Sequence, residues 1–254
     1  MEKTKIYYKK IKLRNPILIV GLPGIGSVGS LVGEHLKNEL KAQKFATLLS
    51  PHFPHQVLML SNGKSRLVNN RFYYWKNPSK SKNSSDIVLL LGDAQAVTTE
   101  GQYEVNEKII KFFTFLGGKK VITIGGYNIA DQYVQNPRVF GVATSLKYIE
   151  ELKKYNILFG QATGAIWGSA GLILEFAKKY KLDAACIMGE TGLIDVDANS
   201  AKTVLEVISK LLGIKIDLAN MEKVKKETEK VLKNIEEAVK GAGQPSKENL
   251  TYIR

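Results

Sequence analysis

Pro16-Ile17-Leu18-Ile19-Val20-Gly21-Leu22-Pro23-Gly24-Ile25-Gly26-Ser27-Val28-Gly29 is the stretch that decides the fold. An apolar run, Ile17 to Val20, passes directly into a glycine-rich turn and then into the helix-period segment Gly24 to Lys41. That is the grammar of a buried strand feeding a helix. Outward from it the same alternation continues. Strands are expected at Phe45 to Leu49, Asp86 to Leu91, Val121 to Ile124, Val139 to Ser145 and Ala184 to Met188. Helices are expected at Glu100 to Leu116, Gly168 to Tyr180 and Ala198 to Leu212. Alternating strands and helices predict an α/β fold with a mostly parallel sheet.

An antiparallel hairpin interrupts the pattern. Val57 to Leu60 and Leu67 to Trp75 alternate around Ser61-Asn62-Gly63-Lys64, and Asn-Gly is a strong hairpin signal. Past Leu212 the character changes. Met221, Val224, Thr228, Val231, Ile235 and Ala238 recur at spacings of three and four, a narrow seam for self-association or for a helix laid on its own domain. Gly241 to Ser246 cannot continue a helix. The expected organisation is an α/β domain over 1–218, a C-terminal helix over 219–240 and a flexible tail over 241–254.

Composition narrows the class. With 254 residues, 44% hydrophobic and 24% charged, the chain is neither disordered, collagenous nor built on disulfides. The single cysteine, Cys186, lies in an apolar run that predicts a buried, inert thiol. Met1 to Arg14 is Lys-rich without a signal-peptide core, and no window suits a membrane span, so a cytoplasmic setting is expected. The net charge of +13 is uneven. Lys41, Lys44, Lys64, Arg66, Arg71, Lys76, Lys80 and Lys82 occur in a stretch without Asp or Glu. This predicts a basic docking face around Lys64, Arg66 and Arg71.

The chemistry-bearing motifs are thin. Gly24-Ile25-Gly26-Ser27-Val28-Gly29 has the spacing of a dinucleotide fingerprint, but the end of the next strand, Leu48-Leu49-Ser50-Pro51, offers no carboxylate to hold a ribose, and none follows it before Asp86. As a phosphate loop it has Ser27-Val28 where Lys and Ser/Thr belong. Tight turns and close helix packing explain the glycines better. His52 and His55 lack a third metal ligand nearby, and His35 stands alone, so no metal is expected. Asp93, Glu190, Asp195 and Asp197 are acids near strand ends, with cap or loop roles favoured for Glu190 and Asp195. No nucleophile-base pair accompanies them. Arg71 to Lys76 interleaves charge with aromatics, yet suits a half-buried strand, and nucleic acid is not expected.

Gly21 to Gly29, Leu91-Gly92-Asp93-Ala94-Gln95, Thr123-Ile124-Gly125-Gly126-Tyr127, Gly164 to Leu172 and Met188-Gly189-Glu190-Thr191-Gly192, in this order, resemble the archaeal proteasome-assembly chaperone family. The resemblance spans Pro16 to about Leu212. It implies a three-layer α/β fold similar to nucleoside phosphorylases and a homo-oligomer. It also implies an ATP-independent role, without cofactor, in binding proteasome α subunits or the core particle. Some members have carried an ATP-grasp-enzyme label, the alternative reading. Docking tails of this kind commonly end hydrophobic-Tyr-any, which directs attention to Leu250, Tyr252, Ile253 and Arg254, where tyrosine stands third from the end.

Overall fold

The Ile17 to Val20 run is a central strand whose residues point alternately into two separate cores. Leu18 and Val20 join one, Ile19 the other. In the computed structural model residues 3–79, 81, 84–130, 134–192, 196–219, 221 and 223 are described. Their elements are β1 (Lys5–Tyr8), β2 (Ile17–Gly21), a 3-10 turn (Ile25–Ser27), α1 (Val28–Glu39), β3 (Gln43–Leu49), β4 (Val57–Met59), β5 (Ser65–Leu67) and β6 (Asn70–Trp75). There follow β7 (Ile87–Gly92), α2 (Thr99–Phe115), β8 (Lys120–Ala130), β9 (Val139–Ala143), α3 (Leu146–Lys153), β10 (Leu158–Phe159), α4 (Ser169–Lys179), β11 (Asp183–Gly192) and α5 (Ala198–Leu212).

The main sheet has the order β1-β3-β6-β7-β2-β8-β11-β9-β10. Its centre, β7-β2-β8-β11, is parallel. The period-two alternation of these strands makes three layers. Val88, Leu90, Val121, Ala184 and Cys186 face α2 and α4, where Ile109, Phe113, Ile173 and Ala177 are buried. Leu89, Ile122, Ala185 and Ile187 face the layer of α1, α3 and α5. On α1 the buried Val28, Val32 and Leu36 recur at helical spacing, and on α5 so do Ala201, Val204, Leu205 and Ile208. Thr98, Ser145 and Asp197 cap α2, α3 and α5 through their side chains. Each such cap contributes about 1 kcal/mol.

Three expectations need correcting. Leu67 to Trp75 is not one hairpin arm: β4 and β5 form a separate ribbon, and β6 lies in the main sheet, antiparallel to β3 and β7. The break falls at Val68 and Asn69, both buried, where the chain turns from the exposed ribbon into the core. Secondly, Gly125-Gly126 and Gly189 do not end their strands. β8 and β11 continue side by side, with Met188 opposite Gly125 and Gly189 opposite Gly126. A Cβ on Gly126 would stand 2.5 Å from the Ile25 carbonyl oxygen, so glycine here admits a close neighbour rather than a turn. Thirdly, the Lys-rich N-terminus supplies β1, an edge strand on β3, and α3 and β10 also went unread.

The seam also begins differently from a free zipper. Met221 is buried against the layer of α1, α3 and α5. Residues 224–240 of the seam and the tail 241–254 lie outside the described residues.

Candidate functional site

The quoted motifs, far apart in sequence, meet at the carboxyl ends of the parallel strands. Gly21 pairs in register with Leu91, Val20 with Thr123, and Gly125 with Met188. Gln95 ties three of them: its Nε2 donates to the Pro23 carbonyl (2.7 Å) and its Oε1 accepts from the Ser169 N–H (2.8 Å) at the start of α4. Thr123 Oγ1 donates to the Ala170 carbonyl at 3.0 Å. The Asp197 N–H donates to the Gly26 carbonyl at 2.8 Å. Gly29 lets α1 approach so closely that a Cβ would lie 2.6 Å from the Ile124 oxygen. Gly26 and Gly29 of the fingerprint are thus engaged in packing, as their sequence context predicted, while Gly24 is not.

Above this junction, on the side of α2 and α4, is a cavity of about 900 Å³. It sits where β2 connects through α1 to one side of the sheet and β7 through α2 to the other, the position at which doubly wound sheets take ligands. Leu22, Ile25, Val97, Ile166, Trp167 and Met188 give it an apolar lining, with Gln95, Gln102, Thr163 and Asn128 among its polar members. Trp167 is 85% exposed at its rim. Among the described residues no lysine, arginine or histidine lines it.

The charged side chain in the lining, Asp93, is fully engaged. Arg66 binds it twice, at 2.5 and 2.9 Å, Arg71 donates at 3.0 Å and the Asn69 N–H at 3.0 Å. Desolvation pushes the Asp93 carboxyl up, but the Arg66 hydrogen bonds, the Asn69 N–H and the Arg71 charge together hold it below the usual carboxylate range. The same contact raises the Arg66 guanidinium. Of the expected basic face, then, Arg66 and Arg71 are folded onto an acid, while Lys64 stands exposed on the β4-β5 turn.

The remaining acids are structural too, though not as expected. Glu190 is no loop residue: it lies buried in β11 and binds Arg138 through side chain and backbone. The Arg138 hydrogen bond holds its carboxyl low against the opposing cost of burial. Asp197 accepts from Thr191 Oγ1 (2.6 Å) and the Ser200 N–H (2.8 Å). Asp195 lies outside the described residues. His52 is held by Thr98 and Glu104, and His35 by the Asp217 carbonyl. Among the described residues no cluster of metal ligands occurs. Cys186 is fully buried, and burial pushes its thiol up to about 11.

Sequence reasoning passed over Gln95, Trp167 and Arg138. The first two stood inside quoted motifs and carried no charge to draw notice. Arg138 is 52 residues from Glu190, and no local signal links them.

The model of the PAC2 family matches residues 18–239. The chain belongs to the PAC2 family. An uncharacterised protein of Methanocaldococcus jannaschii, MJ1210, is 38% identical over 263 aligned positions, covering 100% of this chain and 99% of that one. The crystal structure of Pyrococcus furiosus PbaB, an archaeal proteasome activator, is 39% identical, with a TM-score of 0.87 over 93% of this PAC2 chain and 100% of that one. P. furiosus PbaA, an archaeal homolog of proteasome-assembly chaperone, shares the PAC2 fold at 24% identity and a TM-score of 0.77, covering 95% and 94%. The resemblance to archaeal proteasome-assembly chaperones, and the three-layer fold it implied, are thereby borne out. No helix among the described residues is long and apolar enough to cross a membrane.

Proposed function

We propose that this PAC2 protein is an ATP-independent proteasome-assembly chaperone or activator that binds α subunits or the core particle as a homo-oligomer. The observation that carries the reading is its likeness to the archaeal proteasome activator PbaB along nearly the whole chain. The nucleotide-using alternative finds little support, because among the described residues the cavity presents no cation for phosphate, and Gly26 and Gly29 of the turn are engaged in packing. Docking runs in part through Leu250, Tyr252, Ile253 and Arg254. Each single tail binds weakly because it loses freedom on docking, and several tails on one oligomer compensate through effective concentration. Lys64, with Arg66 and Arg71 behind it, is the second contact.

The test is binding to purified core particle. Deleting Tyr252 to Arg254, or appending a few Gly and Ser after Arg254, should each weaken it while melting temperature and oligomer mass stay unchanged. Full affinity in both variants moves the contact to the face around Lys64. No binding by the intact protein refutes the reading.

A further inference from the structure

Gly125 lies in β8, a central strand with β2 and β11 as neighbours, where glycine weakens the strand and needs a reason. Neither usual reason holds. Its φ lies outside the left-handed region, and a Cβ would meet nothing nearer than the Met188 Cγ at 3.9 Å, an ordinary contact. By alternation with the inward-facing Thr123, that Cβ would project over the α2-α4 side, into the cavity that Gly125 lines. Gly24, on an exposed turn that also lines the cavity, needs no packing contact either: its backbone is extended at φ −171°, and a Cβ would meet no atom within 4 Å. At both sites the missing side chain preserves open space rather than a protein contact.

We propose that this cavity is a binding site for an uncharged, predominantly apolar small molecule that lies against the bare backbone at Gly125 and Gly24. Its volume of about 900 Å³ falls within the range of roughly 300–1,000 Å³ typical of small-molecule sites. An anion finds no cation there, since Arg66 and Arg71 are turned onto Asp93. A cation finds only that same Asp93, already satisfied by both arginines and the Asn69 N–H. Of the polar side chains in the lining, Gln95 and Gln102 already have both ends engaged, so Thr163 and Asn128 are left to meet the few polar atoms of a guest, fewer partners than the row of amides in a polypeptide needs. Trp167 stands at the mouth, where it can cover an aromatic or aliphatic guest. The inference is independent of the proteasome reading and survives its failure.

The probe is the neutral dye N-phenylnaphthylamine, followed by its own fluorescence and by energy transfer from Trp167. Saturable binding is expected, and the sulfonated analogue anilinonaphthalene sulfonate should bind about tenfold or more weakly, because its charge would be buried unpaired. Gly125→Leu fills the cavity and should lower dye affinity about tenfold or more, by removing the volume the guest occupies. Gly24→Leu, on an exposed turn, does the same and keeps the test open if the strand variant folds poorly. Unchanged dye affinity in the folded variants overturns the proposal, as does tighter binding of the sulfonate. Displacement of the dye by core particle also overturns it, by making the cavity a polypeptide site.

Discussion

The two faces of the sheet are packed on different terms. Against α1 the approach is close: added Cβ atoms would strike the Ile124 backbone oxygen at Gly29 and the Leu91 side chain at Gly33. Against α2 and α4 the core is aromatic, with Phe45, Phe72 and Phe112 ring to ring, and toward the strand ends it opens into the cavity. One face has no room for an added carbon at Gly29 or Gly33. The other keeps room beside Gly125. The sheet is common to both, so the difference arises from the helices and the loop around Trp167, and it separates what holds the fold from what is free to bind.

The sharpest way to break that comparison is to add the same atoms to both faces. Gly29→Val should cost roughly 3 kcal/mol or more, since backbone oxygens cannot move aside. Gly125→Val should cost no more than about 1 kcal/mol, because valine suits a strand and meets open space. Equal losses in urea unfolding would erase the distinction between the faces. Next in size, Asp93→Asn should cost about 2 kcal/mol by removing the negative charge and one of the two oxygens that accept from Arg66, Arg71 and the Asn69 N–H. If Arg66 and Arg71 then swing outward, core-particle binding should become more sensitive to salt.

The long helices of both faces were legible in sequence, α2 and α4 to within one residue at each end, whereas α3 and the contacts that build the site were not. Ala198 to Leu212 was read with both ends correct, because Asp197 caps it and its apolar stripe is regular. Ile17 to Val20 and Asp86 to Leu91 were equally plain, being unbroken apolar runs. By contrast, Gly125-Gly126 looked like a strand end because a glycine admitting a neighbour has the same letter as a glycine turning the chain. The site failed for a related reason: Asp93 meets Arg66, and Gln95 meets Ser169, only after crossovers that no local pattern encodes. β1 was missed because its lysine and exposed tyrosines are an edge strand's composition, not a core strand's.

Two smaller effects sharpen the picture of the α2-α4 layer. Glu107 on α2 accepts from Lys179 and Tyr180 at the end of α4, and from Lys111. The Lys179 and Lys111 hydrogen bonds lower its carboxyl to about 2. A depressed carboxylate contributes stability above its unfolded pKa and loses it as pH falls, here from the ordinary glutamate range toward about 2. Glu107→Gln should therefore cost at most about 1 kcal/mol near neutrality, given its partial exposure, and nothing at the acid end of that window. Thermal melts of both proteins across the range check it. Smallest of all, the Cys186 thiol should ignore Ellman's reagent at pH near 8 and react only on unfolding, at the global unfolding rate. Fast reaction of the native protein would mean that the aromatic layer breathes.

Met221 gives the last consequence. The chain leaving α5 is laid back along α1, where Asp217 meets His35 and Ile214, Ile216, Leu218 and Met221 join that core. Met221 therefore lies on the α1 side, with the sheet standing between it and the cavity. A guest at Gly125 and a partner seated on the layer around Met221 would lie on opposite sides of a wall. Their binding isotherms should be separable, each saturating without competing for the other's atoms, so that any influence between them would have to pass through the sheet.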